Sequence, residues 1–286
     1  MSYNLSAATF IRNNYRGAFC LYESMASFLP FVDDMTILDC ESTDGTYETL
    51  QEIADANPKI RVVRTKFSRQ DASAFADIAN DCVAAWEHES GLFWQADEIW
   101  HENLLRLLRQ KLEEGHRDMT FWRYQLKENF QVMRWPPHPI HRLGTKGNFH
   151  FVDDGMNSNR VFEPPVCSNW DMGWFIKWGD EFRGRYPELP THEMVLDVSA
   201  VGAFLNNIIG KRTLHAPMWH EQPNVDGEPL GRWMARERHN PNWSRKDTRF
   251  NIPQIMRWHL GRARYDVRPE LIEALKTNTT ERIVGL

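Results

Sequence analysis

Over its first 115 residues the chain alternates short apolar runs with amphipathic stretches, and that alternation constrains its fold more than any other feature. Runs at 5–11, 35–38, 60–64 and 91–95 have the length and composition of buried strands. Between them, residues 18–29 place Leu21, Met25, Phe28 and Leu29 at helical spacing, with Pro30 as a stop. A second helix is predicted up to about Ala56, capped by Thr46 or Asp44. A third is predicted over 72–86 with Asp71 as its cap. A fourth, over 102–114, gathers Leu104, Leu105, Leu108 and Leu112 on one side as core packing. Strands alternating with helices predict an α/β chain with a mostly parallel, doubly wound sheet.

Two acidic stretches follow two of the predicted strands. Asp39-Cys40-Glu41-Ser42-Thr43-Asp44-Gly45-Thr46 comes after 35–38, and Gln95-Ala96-Asp97-Glu98 comes at the end of 91–95. In an open α/β sheet, ligands bind beyond the carboxyl ends of the strands, so both stretches can face one crevice. A carboxylate there can accept from a nucleobase N–H edge or from ribose hydroxyls. The N–H groups of the helix starting near Thr46 can serve a phosphate. The same residues also suit a plain turn and helix cap. Alternation puts Gln95 and Asp97 on one side and Ala96 and Glu98 on the other. Asp97 is therefore a candidate ligand for Mg²⁺ or Mn²⁺, which need one or two protein carboxylates when nucleotide phosphates supply further oxygens. The competing reading is a solvated acidic loop.

After Gly115 the pattern changes. Strands are predicted over 119–126 and 130–135, with Pro136-Pro137-His138-Pro139 as a rigid extended connection. A hairpin of 140–143 with 148–152 is predicted around Gly144-Thr145-Lys146-Gly147. Helices are predicted over 195–209, 253–264 and 269–277. We divide the chain into a catalytic-type α/β half, 1–117, and a second half with the C-terminal helices, 118–286, packed onto it as one domain. Nine of the twelve tryptophans lie in the second half, and Trp faces stack on sugars as well as on core side chains. Trp170, Trp174 and Trp178 fit one helix face, for which packing is the simpler role.

The ordered motifs resemble family 2 glycosyltransferases of the GT-A fold. They run Thr9-Phe10-Ile11-Arg12-Asn13-Asn14, Glu23-Ser24-Met25, Val32-Asp33-Asp34, and Leu38-Asp39 through Thr46, with Gln95-Ala96-Asp97-Glu98 as a Q-A-D-E variant of that family's D-A-D-E. The resemblance covers about the first 110 residues and departs at Asn13-Asn14, where the family has Asn-Glu, and at Gln95, where it has Asp. It implies a UDP-sugar donor, a divalent metal and inversion at the sugar. It implies a nucleotide-sugar site of Ile11, Arg12, Asp39, Glu41, Asp44, Gln95 and Ala96, with Ile11 and Asp39 against the base and Asp97 on the metal. Ile140-His141-Arg142-Leu143 followed by Val152-Asp153-Asp154-Gly155 resembles an acceptor-side segment. An inverting transferase needs a carboxylate base, so Asp153 and Asp154 are the catalytic candidates. Asp171, in Asp171-Met172-Gly173-Trp174, stands where some relatives have His, and is a candidate second metal ligand beside His215 and His220. Each lone His also suits a structural role. Lys177, Arg183 and Arg185 suit either a loop that stabilises a diphosphate or a solvated basic face.

The formal net charge of −5 gives no reason to expect nucleic acid as a partner, and no apolar run is long enough to span a bilayer. Met1-Ser2-Tyr3-Asn4-Leu5 lacks the basic and apolar regions of a signal peptide. Cys20, Cys40, Cys82 and Cys167 form no framework or CxxC pattern, so reduced thiols in a cytoplasmic setting are expected. The expected partners are a UDP-sugar and a carbohydrate or other hydroxyl acceptor. The rival readings are a nucleotidyltransferase and a non-catalytic carbohydrate-binding protein. No GxGxxG follows the first strand, which argues against a dinucleotide-dependent oxidoreductase.

Overall fold

Strand β1 (Leu5–Ile11) is buried along almost its whole length, as a central strand of a parallel sheet covered on both faces should be. A computed structural model describes residues 4–17, 19–67, 73–127, 132–134, 138–152, 157–158, 195–197, 243–244, 254–255 and 268–284. In it β1 pairs in parallel with β2 (Asp34–Asp39), and β2 pairs in parallel with β3 (Ile60–Arg64). On its other side β1 pairs in parallel with β4 (Ser90–Phe93). Helices α1 (Asn14–Gly17), α2 (Leu21–Phe28), α3 (Thr46–Ala56) and α4 (Ala74–Ala84) fill the connections.

Alternation along β1 divides the core. Leu5, Ala7 and Ile11 join Met35, Ile37 and Leu92 on one face, packed against Leu21 and Met25 of α2 and Leu50 and Ile53 of α3. Ala8 and Phe93 face the other way, against Ala79, Cys82 and Val83 of α4. Ser6 Oγ stitches the amino-terminal ends: it donates to Asp34 Oδ2 and accepts the N–H groups of Glu87 and His88. Gly91 is required here, because a Cβ on it would meet Trp86 Cδ2 at 1.8 Å.

Beyond β4 the sheet turns mostly antiparallel. After β5 (Glu98–Trp100) and α5 (Glu102–Glu113) come β6 (Met119–Lys127), β7 (Val132–Arg134) and β8 (His138–Thr145). β8 lies between β4 and β6 and is antiparallel to both. The predicted hairpin of 140–143 with 148–152 does not form. β4 and β6 occupy both edges of β8, while β9 (Phe151–Val152) pairs with β10 (Asn157–Ser158). His138 and Pro139, expected in a connection, belong to β8. Residues 195–197, expected to open a helix, form β11 (Val195–Asp197), whose backbone pairs with β5 on one side and β6 on the other. β12 (Trp243–Ser244) adds to β7.

The remaining boundaries moved little. Pro30 lies inside a 3₁₀ turn, Leu29–Phe31, where a missing N–H is tolerated. Ser73 is the N-cap residue of α4; Asp71 lies outside the described residues. The rest of the predicted helices over 195–209 and 253–264 also lies outside them, apart from a helical pair at 254–255.

The chain ends on its first half. Helices α6 (Arg268–Lys276) and α7 (Glu281–Val284) bring Leu271, Leu275, Ile283 and Val284 into the core that holds α2 and α3. Buried Asn57, just past α3, donates to the Leu275 carbonyl at 2.6 Å across 218 residues of sequence.

Candidate functional site

The carboxyl ends of β1 and β2 are tied into one rim. Ile11 and Asp39 are register partners, and Cys40 N–H donates to the Ile11 carbonyl at 2.7 Å. Asn13 and Glu41 both take left-handed backbone, φ 55° and 56°, which turns each chain sharply at the strand end. The two turns then bond to each other. Asn13 N–H donates to Ser42 Oγ, and Thr43 N–H donates to Asn13 Oδ1, each at 2.8 Å.

Asp39 is fully buried at the centre of this rim. Its Oδ2 accepts the Ser42 N–H at 3.1 Å and lies 3.7 Å from Arg64 Nε. Its Oδ1 is buried and has no hydrogen-bond partner among the described residues. A buried, unsatisfied carboxylate oxygen is expensive, so this atom calls for a donor. Arg64 is shared: it also donates to the Ser42 carbonyl and lies 4.5 Å above the Tyr47 ring. The adjacent Cys40 thiol is pushed up to about 12, by burial first and then by the charge of Asp39.

The other predicted rim residues divide by role. Ile11 is buried, whereas Arg12 and Glu41 are exposed. Asp44 Oδ1 accepts both the N–H and the Oγ1 of Thr46, at 3.1 and 2.6 Å. The cap is therefore the carboxylate of Asp44 acting across Gly45, with Thr46 as the first helical residue.

The second acidic stretch leaves β4 beside β1: Trp94 N–H donates to the Ala8 carbonyl at 3.2 Å. The turn 95–97 follows, closed by the Glu98 N–H on the Gln95 carbonyl at 2.8 Å. Gln95 and Asp97 are half-buried; Ala96 and Glu98 are buried. Burial raises the Cys20 thiol, with the charges of Glu23 and Asp97 adding to it, so Asp97 lies near the start of α2. Glu98 is not part of a solvated acidic loop, because it opens β5 and is fully buried.

Sequence reasoning gave Glu98, Arg123 and Arg142 no site role, yet they form a buried charged network. Arg142 Nη2 and Nε donate to Glu98 Oε1 and Oε2 at 2.8 and 3.1 Å, and both side chains are fully buried. Glu98 Oε2 also accepts the Gln95 N–H at 3.1 Å, so the same carboxylate closes the turn that carries Asp97. Arg123 Nη1 reaches Gln95 Oε1 at 3.4 Å and Glu98 Oε1 at 3.7 Å. The available signal was a charged residue, Arg142, sharing a side of the strand with the apolar Ile140.

Asp97 suits a hard divalent cation: it is a half-buried carboxylate at a strand end, and nucleotide phosphates can complete its shell. Among the described residues no cluster of three or more His, Cys, Asp or Glu could hold a metal by itself. Asp153, Asp154, Asp171, His215 and His220 lie outside the described residues, as do Cys167, Lys177, Arg183, Arg185 and the tryptophans at 170, 174 and 178. A separate cleft of about 440 Å³ between β3 and the end of α4 is lined by Val63, Asp81, Glu87 and Lys146, and by none of the predicted site residues.

A family profile for glycosyl transferase family 2 matches residues 20–167, just over half of the chain. The chain belongs to glycosyl transferase family 2. Its α/β sheet, parallel through β3-β2-β1-β4 and antiparallel along β4-β8-β6-β7-β12, with β11 parallel to β6, is GT-A-like. No curated protein sequence matches the chain. Similar solved structures include S. aureus TarS 1–349, with 16% identity over 44% of this chain and 36% of that one, at a TM-score of 0.33. Its complex with UDP has 15% identity over 44% of this chain and 36% of that one, at a TM-score of 0.33. Its complex with UDP-GlcNAc has 17% identity over 44% of this chain and 34% of that one, at a TM-score of 0.30. The matched stretch thus spans about a third of the length of those chains. No helix among the described residues is long and apolar enough to cross a membrane.

Proposed function

We propose that this chain transfers a sugar from a UDP-sugar to an acceptor hydroxyl with inversion. The observation that carries the nucleotide part is Asp39 Oδ1, a buried acceptor without a partner among the described residues, on the rim at the carboxyl ends of β1 and β2. A uracil ring offers an N–H donor on its edge, and Ile11 supplies an apolar neighbour. Arg12, Glu41, Asp44, Gln95 and Ala96 complete the donor side. Family membership favours glycosyl transfer over nucleotidyl transfer and over a non-catalytic binding role.

In this reading residues 1–117 hold the donor and 118–286 hold the acceptor. The acceptor oxygen attacks the anomeric carbon, the bond from that carbon to the diphosphate breaks, and UDP leaves. Asp153 or Asp154 takes the hydroxyl proton. Asp97 would hold Mn²⁺ or Mg²⁺, with Asp171, His215 and His220 as further candidates. When bound, the ion neutralises charge on the leaving diphosphate. The buried thiols of Cys20, Cys40 and Cys82, none in a disulfide, support a reducing, cytoplasmic setting.

The test is calorimetry with uridine and UDP, followed by release of UDP from a panel of UDP-sugars. Asp39→Asn should weaken uridine binding about tenfold or more, the scale of one lost charge-assisted hydrogen bond. Unchanged uridine affinity in that variant would remove the base contact. Failure of every UDP-sugar to release UDP would remove the transferase reading.

A further inference from the structure

Arg123 is buried, 6% exposed, and its charge is poorly matched among the described residues. Its neighbour Glu98 is already taken up by Arg142 through two hydrogen bonds and by the Gln95 N–H. One carboxylate therefore serves two guanidiniums, and Arg142 holds it at 2.8 Å against 3.7 Å for Arg123. The one hydrogen bond Arg123 makes among the described residues is to the neutral Gln95 amide, at a long 3.4 Å. Its Nε is buried without a partner among them. A guanidinium keeps its charge at any working pH, and a buried cation without a full counter-charge is costly.

We propose that Arg123 is an anion-binding residue of this crevice and takes a phosphate oxygen of the nucleotide. The inference rests on the nucleotide reading above. Gln95 is half-buried, stands in the same turn as Asp97 and meets Arg123 through its Oε1. A phosphate oxygen can replace its weak amide contact with a short, charge-assisted one. The neutral side chain at position 95 is what leaves Arg123 open: a carboxylate there would neutralise it. This binding contribution comes from the protein alone and persists without a metal ion.

The experiment is calorimetry on the full chain in EDTA, with uridine, UDP and inorganic pyrophosphate as probes. UDP should bind about tenfold or more tightly than uridine, the value of one charge-assisted hydrogen bond. Gln95→Glu, which adds a charge at nearly constant shape, should cancel that advantage and weaken pyrophosphate. Arg123→Met, accepted only if its melting profile shows a folded protein, should do the same. Equal affinity for UDP and uridine in the unaltered protein would overturn the proposal and leave the Asp39 base contact standing. So would a Gln95→Glu variant that keeps full UDP affinity. Failure of the unaltered protein to bind either ligand overturns the nucleotide reading and this proposal with it.

Discussion

Arg142→Met is the most informative single change to the network behind the site. Arg142 is fully buried and donates twice to an equally buried Glu98, at 2.8 and 3.1 Å. It also donates to the His141 carbonyl and lies 5.3 Å over the Phe93 ring. Methionine fills much of that volume but leaves the Glu98 carboxylate without its close cation. Breaking a buried pair from one side costs about 3–5 kcal/mol. The Gln95 N–H and Arg123, 3.7 Å away, remain as partial compensation, which argues for the lower end, about 3 kcal/mol. In a domain of this size that corresponds to a fall in Tm of roughly 10 °C. Urea unfolding followed by tryptophan fluorescence can measure it, since Trp94 and Trp100 are buried beside the turn and β5. The double variant Arg142→Met/Glu98→Gln should recover part of the loss, because no uncompensated carboxylate remains. A loss below about 1 kcal/mol, the value of an exposed pair, would refute the reasoning. Strict additivity of the two single changes would refute it as well.

Three further outcomes follow from the same geometry. Gly91→Ala places a methyl group 1.8 Å from Trp86 Cδ2, in an indole packed against Phe149, and should destabilise by about 1–3 kcal/mol or more in the same unfolding assay. Burial raises the Asp34 carboxyl above its ordinary 3.8, against the Ser6 hydroxyl and His88, which lower it. A raised folded-state value means that the favourable contribution is full below the unfolded value and is lost as pH rises through the folded one. Asp34→Asn, which can still accept from Ser6 Oγ, should therefore gain stability relative to the parent at pH 7, and the gain should shrink as pH falls toward 4. Equal stability differences at pH 7 and pH 4 would contradict it. Asp44→Ala removes the acceptor at the start of α3 and should cost about 1 kcal/mol, measured by urea unfolding.

The first half was legible because its signals are local. β1 and β3 were read over their observed spans, and α3 and α5 to within one residue, from apolar runs and helical spacing that need no distant partner. The rim at Asp39 was legible for the same reason: an acidic turn after an apolar strand places its carboxylate at the strand end wherever the strand lies. The second half was misread where pairing decides. Nothing local in Val195-Leu196-Asp197 marks it as a strand, because it is held by β5 and β6 from opposite sides. Residues 148–152 had suitable apolar character for a hairpin, but β8 had already given both edges to β4 and β6.

The acidic stretch at 95–98 shows the division within four residues. Alternation alone separated Gln95 and Asp97 from Ala96 and Glu98, since side-chain direction in extended chain is a local property. The partners of Glu98 could not be read that way. Arg142 is 44 residues distant and Arg123 is 25 residues away in sequence, and they meet Glu98 because the folded sheet lays β8 beside β4 and β6 beside β8. Local sequence thus determined the strand ends and the carboxylates they carry. Tertiary structure alone decided which charges were matched, because a buried charge is satisfied only by what the fold brings within about 3 Å of it.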